Sequence, residues 1–224
     1  METLFGVWSL AATNTKLKNG YYLFDWIMRQ RCFPAFWGRP ISGPDKITTD
    51  EMAFLKEKDC KTMLIFNDFS EAEISSNNGE KVAERAINAA IELGVPQNEG
   101  YAIFVYVPCD WSINHNWMLH FASLLDGHGY TPAFIGNTDS SKNFNFDRQS
   151  SHYVQAMGDS PMFETIFGAT EPKIFSEPLE WSPYCPSAMN PGDIALWECS
   201  AIRFDNYYVP EIYVSNLSIV DKLW

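Results

Sequence analysis

The feature that most constrains this chain is an alternation. Short apolar runs of strand length are separated repeatedly by stretches whose apolar residues recur at helical spacing. Residues 4–10 read as a buried strand and residues 21–31 as a helix, with Tyr22, Phe24, Ile27 and Met28 on its apolar face. Residues 34–38 are a second strand candidate. Thr48-Thr49-Asp50-Glu51 reads as a capping box, opening a helix that runs to about Lys58 with Met52, Phe54 and Leu55 inward. Residues 63–66, 101–107 and 131–135 continue the strand series. Between them, residues 79–93 place Val82, Ala83, Ala86, Ile87, Ala90 and Ile91 on one helix face, and Gly94-Val95-Pro96 stops the helix. Residues 116–125, closed by Gly127 and Gly129, and residues 147–157 read as further helices. After Gly158 the pattern changes. Proline, glycine and aromatic residues rise, and strands at 174–175, 194–197 and 207–214 come with little helix between.

Five strand–helix units in succession imply a parallel sheet, either open and doubly wound or closed into a barrel. No GxGxxG or GxxxxGK[ST] follows a strand, so a nucleotide-binding open sheet loses its support. A (β/α)8 barrel of the TIM type, its helices reduced or missing in the C-terminal third, fits the late change in pattern. The 224 residues, taken as a single domain 1–224, suit one such barrel and can bury a real core.

Composition then excludes whole classes of function. With 16 Lys+Arg against 28 Asp+Glu the net charge is −12, which leaves too few clustered cations to track a phosphate backbone. No apolar run reaches the roughly 18 residues of a membrane span. Met1-Glu2-Thr3-Leu4-Phe5 has no basic region before its apolar stretch, so a signal peptide is not expected. The chain is therefore expected to be cytoplasmic as synthesised, with extracellular release by a signal-independent route as the alternative. The 5 cysteines are odd in number and lack CxxC spacing, and read as free thiols. The 4 histidines fall on helices or their ends, so neither a metal site nor a Ser/His/Asp triad is expected, and no cofactor is called for. Cys109 beside Asp110 lacks a strand-end histidine to activate it.

In a barrel of this kind the chemistry belongs at the C-terminal strand ends. Asp68 follows the third strand, Asp110 the fourth, and Glu198 ends the strand beginning at Ile194. Burial or mutual repulsion could make one of them an acid, or Asp68 and Asp110 could simply cap the loop or helix after each strand. Glu177 and Glu180 flank Pro178-Leu179 near the proposed sixth strand. Arg39, at the second strand end, could clamp a carboxylate or sugar hydroxyl, or pair with a nearby acid to hold the barrel top together. Asn67 and Asn137 join it as candidates for positioning a sugar. Trp8, Trp37, Trp111, Trp181 and Trp197 all fall near proposed strand ends, where an indole face suits a sugar ring and equally suits core packing.

The same strand ends resemble the glycoside-hydrolase-like domains related to the glycoside hydrolase family 25 lysozymes. Phe36-Trp37-Gly38-Arg39 is similar to that family's Phe-Val-Gly-Arg, and Ile47-Thr48-Thr49-Asp50-Glu51 to its Leu-Thr-x-x-Glu. Gly79, Ala83, Ala86 and Leu93-Gly94-Val95-Pro96 match its third helix, and Ile103 to Val107 its fourth strand. Gly129-Tyr130 and Ala133-Phe134-Ile135-Gly136 match the region of its fifth strand, and Trp197-Glu198 stands at its Trp-Gln. The match is best over residues 33–137. The resemblance implies a barrel acting on a polysaccharide of a cell wall. Two departures bear on activity: Trp8 stands where the family keeps an Asp after Gly-Phe, and Pro108 where strand four ends in Asp. Glycoside hydrolysis needs two carboxylates. The expectation is thus a glycan-binding barrel without intact catalysis. The alternatives are an active glycosidase using Asp110 with Asp68 or Glu198, and a non-catalytic protein-interaction module.

Overall fold

The computed structural model describes residues 3–158 and 161–224. Eight strands close a barrel in chain order: β1 (Leu4–Trp8), β2 (Phe36–Pro40), β3 (Lys61–Phe66), β4 (Ala102–Tyr106), β5 (Thr131–Gly136), β6 (Ile166–Ala169), β7 (Ile194–Phe204) and β8 (Tyr207–Val214). β1 to β7 pair in parallel, while β8 runs antiparallel to both β7 and β1. An all-parallel eight-stranded barrel is therefore not what forms. β8 follows β7 directly through a tight turn, and a strand that returns without a crossover must return antiparallel. Helices α1 (Leu23–Gln30), α2 (Thr49–Glu57), α3 (Glu71–Ile74), α4 (Glu80–Glu92), α5 (His115–Gly127) and α6 (Asn145–Met157) fill the earlier connections, and α7 (Ser218–Asp221) comes after β8. The connection from β6 to β7 holds a single 3-10 turn at Pro191–Asp193.

Side chains alternate across each strand. Phe36, Met63, Ile65, Phe104, Ile135, Ile166, Leu196 and Ile212 fill the barrel interior. Val7, Trp37, Leu64, Val105, Phe134 and Trp197 face out into the layer beneath the helices. Two glycines make room inside. A Cβ on Gly6 would meet the Phe36 ring at 2.4 Å, and one on Gly38 would meet Cβ of Trp8 at 2.6 Å. The N-terminal end of the barrel is closed by the last residues: Trp224 N–H donates to Thr62 O at 3.0 Å, and Ala102 N–H to Lys222 O at 2.8 Å.

The capping box expected at Thr48 is half formed. Thr48 Oγ1 accepts from Glu51 N–H at 3.1 Å, but the Glu51 carboxylate turns away to accept from Arg39 and from Thr13 N–H. A guanidinium and a buried amide outcompete the cap amide for that carboxylate. Residues 174–175 are not a strand. Ile174 N–H bonds Cys199 O at 2.8 Å, but Phe175 turns to φ 60°, which breaks further pairing. The sixth strand is instead Ile166–Ala169, so Glu177 and Glu180 lie on an exposed loop rather than at a strand end.

Candidate functional site

The C-terminal ends of β1, β4 and β7 bring three inward side chains together. Trp8, the last residue of β1, reaches across the lumen and packs its ring against Tyr106 of β4, with centroids 5.2 Å apart. Its indole N–H donates to Glu198 Oε2 at 3.1 Å. Lys173, from the loop after β6, donates to the other carboxylate oxygen at 2.7 Å and to the Glu198 carbonyl at 3.1 Å. Burial, followed by the charge of the Glu198 carboxylate, holds the Tyr106 phenol well above its ordinary pKa. The Glu198 side chain is 4 % exposed and that of Lys173 25 %. The mouth therefore holds a buried ion pair roofed by two half-buried aromatic rings.

Of the two carboxylates carried by the eight strands, Glu198 faces the interior and Glu211 faces out. Glu211 is completely buried, and accepts from Arg31 Nε at 2.6 Å and from the Ser200 hydroxyl. The other acids considered from sequence stand apart from the lumen. Asp68 is exposed and lies 3.5 Å from Arg85 Nε, while Asp110 is exposed in the loop after β4.

Arg39 does not face the mouth. Its neighbours in β2, Gly38 and Pro40, take the inward positions, so Arg39 points beneath α2. There it is 2 % exposed, bonds both oxygens of Glu51, and donates to the carbonyls of Ser9, Leu10 and Asp45. With its donors engaged in this way it ties the loops after β1 and β2 to α2, and is not free to clamp a ligand. Parity likewise removes Trp197 from the lumen. Its indole is buried outside the barrel, donates to Pro172 O at 3.0 Å, and packs edge-on against Trp181 at 5.7 Å. Trp181 donates in turn to Ile194 O at 3.1 Å. Trp37 stacks on Phe24 and is a core residue. Trp111 is half-buried against Phe69, and Asn67 is exposed with its amide oxygen 3.3 Å from Ser42 Oγ. Asn137 is buried and accepts from Asp139 N–H at 2.9 Å, shaping its own loop.

Of the sequence candidates, then, the fold brings together Trp8 and Glu198. Tyr106 and Lys173 complete the cluster without having been singled out. The signal for Tyr106 was its parity with Phe104 along β4. Lys173 had none, because its place depends on how an irregular loop folds back over β7.

No family model matches the sequence, and no curated protein does. Solved structures do share the fold. An uncharacterized protein of B. stearothermophilus superposes with a TM-score of 0.79 at 20 % identity, covering 99 % of this chain and 100 % of that one. The Mycobacterium tuberculosis Tat-secreted protein Rv2525c matches with a TM-score of 0.57 at 10 % identity in its HEPES complex, covering 95 % of this chain and 94 % of that one. In its L-tartrate complex the TM-score is 0.59 at 11 % identity, covering 99 % and 98 %. At these identities the likeness is one of fold. No helix among the described residues is long and apolar enough to cross a membrane, and no cluster of metal-ligating side chains occurs among them.

Proposed function

We propose that this chain is a glycoside-hydrolase-like barrel that binds a glycan at its C-terminal mouth and does not cleave it. It is read as a TIM-type barrel with its last strand reversed and its helices reduced in the last third. The observation that carries the proposal is Trp8 lying across the lumen with its N–H on Glu198. An indole occupies the place where the resembling enzymes keep an acid, and the inward carboxylate is already held by Trp8 and Lys173. Retaining enzymes need carboxyl groups about 5 Å apart and inverting ones about 6.5–9.5 Å, both flanking one bond. Asp68 and Asp110 sit on exposed loops. What remains suits binding: the Trp8 and Tyr106 rings for the apolar face of a sugar, and Lys173 with Glu198 for its hydroxyls.

The test is calorimetric titration with chitooligosaccharides and soluble peptidoglycan fragments, alongside an assay for newly released reducing ends. L-tartrate and HEPES, both held by the M. tuberculosis protein, serve as competitors. Saturable binding without product is expected, weakened about tenfold or more in Trp8→Ala, as loss of a stacking platform implies. Trp8→Phe, which keeps a ring and loses the N–H, should retain most of the affinity. Release of reducing ends that disappears in Glu198→Gln would overturn the non-catalytic reading. Absence of binding to every glycan would overturn the carbohydrate reading.

A further inference from the structure

A cavity of about 500 Å³ lies at the other end of the molecule, beside the N-terminal ends of β3 and β4. That volume is within the range of small-molecule sites. Met52 and Lys56 of α2 line one wall and Leu93, just beyond α4, another. Tyr101 and Trp224 close it as an edge-to-face pair with centroids 4.9 Å apart. Trp224 is pinned there by its backbone bonds to Thr62, at 3.0 Å from its N–H and 2.6 Å to its oxygen. The aromatic wall is thus preformed rather than hanging loose.

The polar lining has a definite sign. Lys56 and Lys61 both border the cavity against one acid, Asp59, in a chain whose net charge is −12. Among the described residues neither lysine takes part in an ion pair, a state they share with Lys16 and Lys81, whereas Lys18, Lys46, Lys58, Lys142, Lys173 and Lys222 are paired. Two unpaired ammonium groups over an apolar, aromatic-walled hollow are complementary to a flat ring carrying one negative charge. Cys60 at the base is buried, and burial pushes its thiol up to about 12, so it contributes apolar surface rather than a nucleophile.

We propose that this cavity is a second binding site, separate from the barrel mouth, for a small aromatic carboxylate. The ring lies against Tyr101, Trp224 and Met52, and the carboxylate meets Lys56 and Lys61. The site does not depend on the glycan reading of the mouth.

The experiment uses the full chain labelled with 15N, titrated with 2-naphthoate and, separately, with uncharged 2-naphthalenemethanol. The indole N–H resonance of Trp224 is assigned through Trp224→Phe. Saturable movement of that resonance by 2-naphthoate is expected, with the alcohol binding at least about tenfold more weakly. Lys56→Ala/Lys61→Ala, two changes at exposed side chains, should weaken 2-naphthoate about tenfold or more while leaving the rest of the spectrum in place. Absence of a saturable shift at Trp224 up to about 5 mM would overturn the site. Equal affinity for acid and alcohol, or an affinity unchanged in the double variant, would overturn the assignment to an anion.

Discussion

Two buried acids are held in opposite ways, and they predict opposite responses to neutralisation. Glu198 has a cation at 2.7 Å and one further donor, the Trp8 indole. Lys173→Met removes the cation and strands a carboxylate that is 4 % exposed, which should cost about 3 kcal/mol in urea unfolding. Lys173→Met combined with Glu198→Gln should recover a large part of that loss, because no uncompensated charge is then buried. Asp147 of α6 is the contrary case. It is buried, its Oδ1 has no hydrogen-bond partner among the described residues, and desolvation, followed by the charge of Asp139, raises its pKa. In the unfolded chain the group titrates near the usual value of about 3.9. As pH rises through that value and on to the raised folded one, the unfolded state gives up its proton first, so Asp147 subtracts stability above this window and nothing below it. Asp147→Asn should therefore raise the midpoint of thermal unfolding at neutral pH, by the equivalent of about 1 kcal/mol. The gain should vanish when the melt is repeated below the ordinary aspartate pKa. The candidate site was legible at this scale only in part. Strand ends marked Trp8 and Glu198 as candidates, but they marked Arg39 and Trp197 equally, and only the observed parity of β2 and β7 separates the inward Glu198 from its outward neighbour Trp197 and turns Arg39 out.

At the scale of elements, the helices kept closely to their expected spans, although Tyr22, Met28 and Ile91, read as lying on apolar faces, are 52 %, 40 % and 46 % exposed. The expected helix at 79–93 forms as Glu80–Glu92, and that at 147–157 as Asn145–Met157, since amphipathic spacing is a local property that tertiary packing only trims. β6 was illegible because four residues containing Gly168 carry too little periodicity to stand out. The contact that joins elements is the Arg39–Glu51 pair at 2.9 Å, with side chains 2 % and 3 % exposed. It fastens β2 to α2, and through the Ser9 carbonyl and Thr13 N–H it holds the long loop after β1. Arg39→Met would leave Glu51 buried and unpaired, at a cost of about 3–5 kcal/mol. Faster amide exchange at Thr13 and nearby residues of that loop is expected to accompany the loss. Unchanged protection at Thr13 would mean that the loop is held by other contacts.

The whole molecule depends on closure. β8 bonds to β7 on one side and β1 on the other, and Ile212 on its inner face is 1 % exposed. Ile212→Ala should cost about 2–5 kcal/mol through lost burial and the cavity left behind. Because β8 completes the ring, tryptophan fluorescence and far-UV circular dichroism should lose stability together rather than in separate phases. The sequence by itself determined the barrel's repeating units, since strand and helix periodicities are written within a few residues of one another. It also determined the surplus of acids and the indole at the end of the first strand. Only the tertiary structure decided the direction of β8, the side of the sheet on which Arg39 and Trp197 lie, and the arrival of Lys173 beside Glu198. Those depend on closure and register, which pair residues far apart in the chain, and no local pattern records the angle at which a ring of strands shuts.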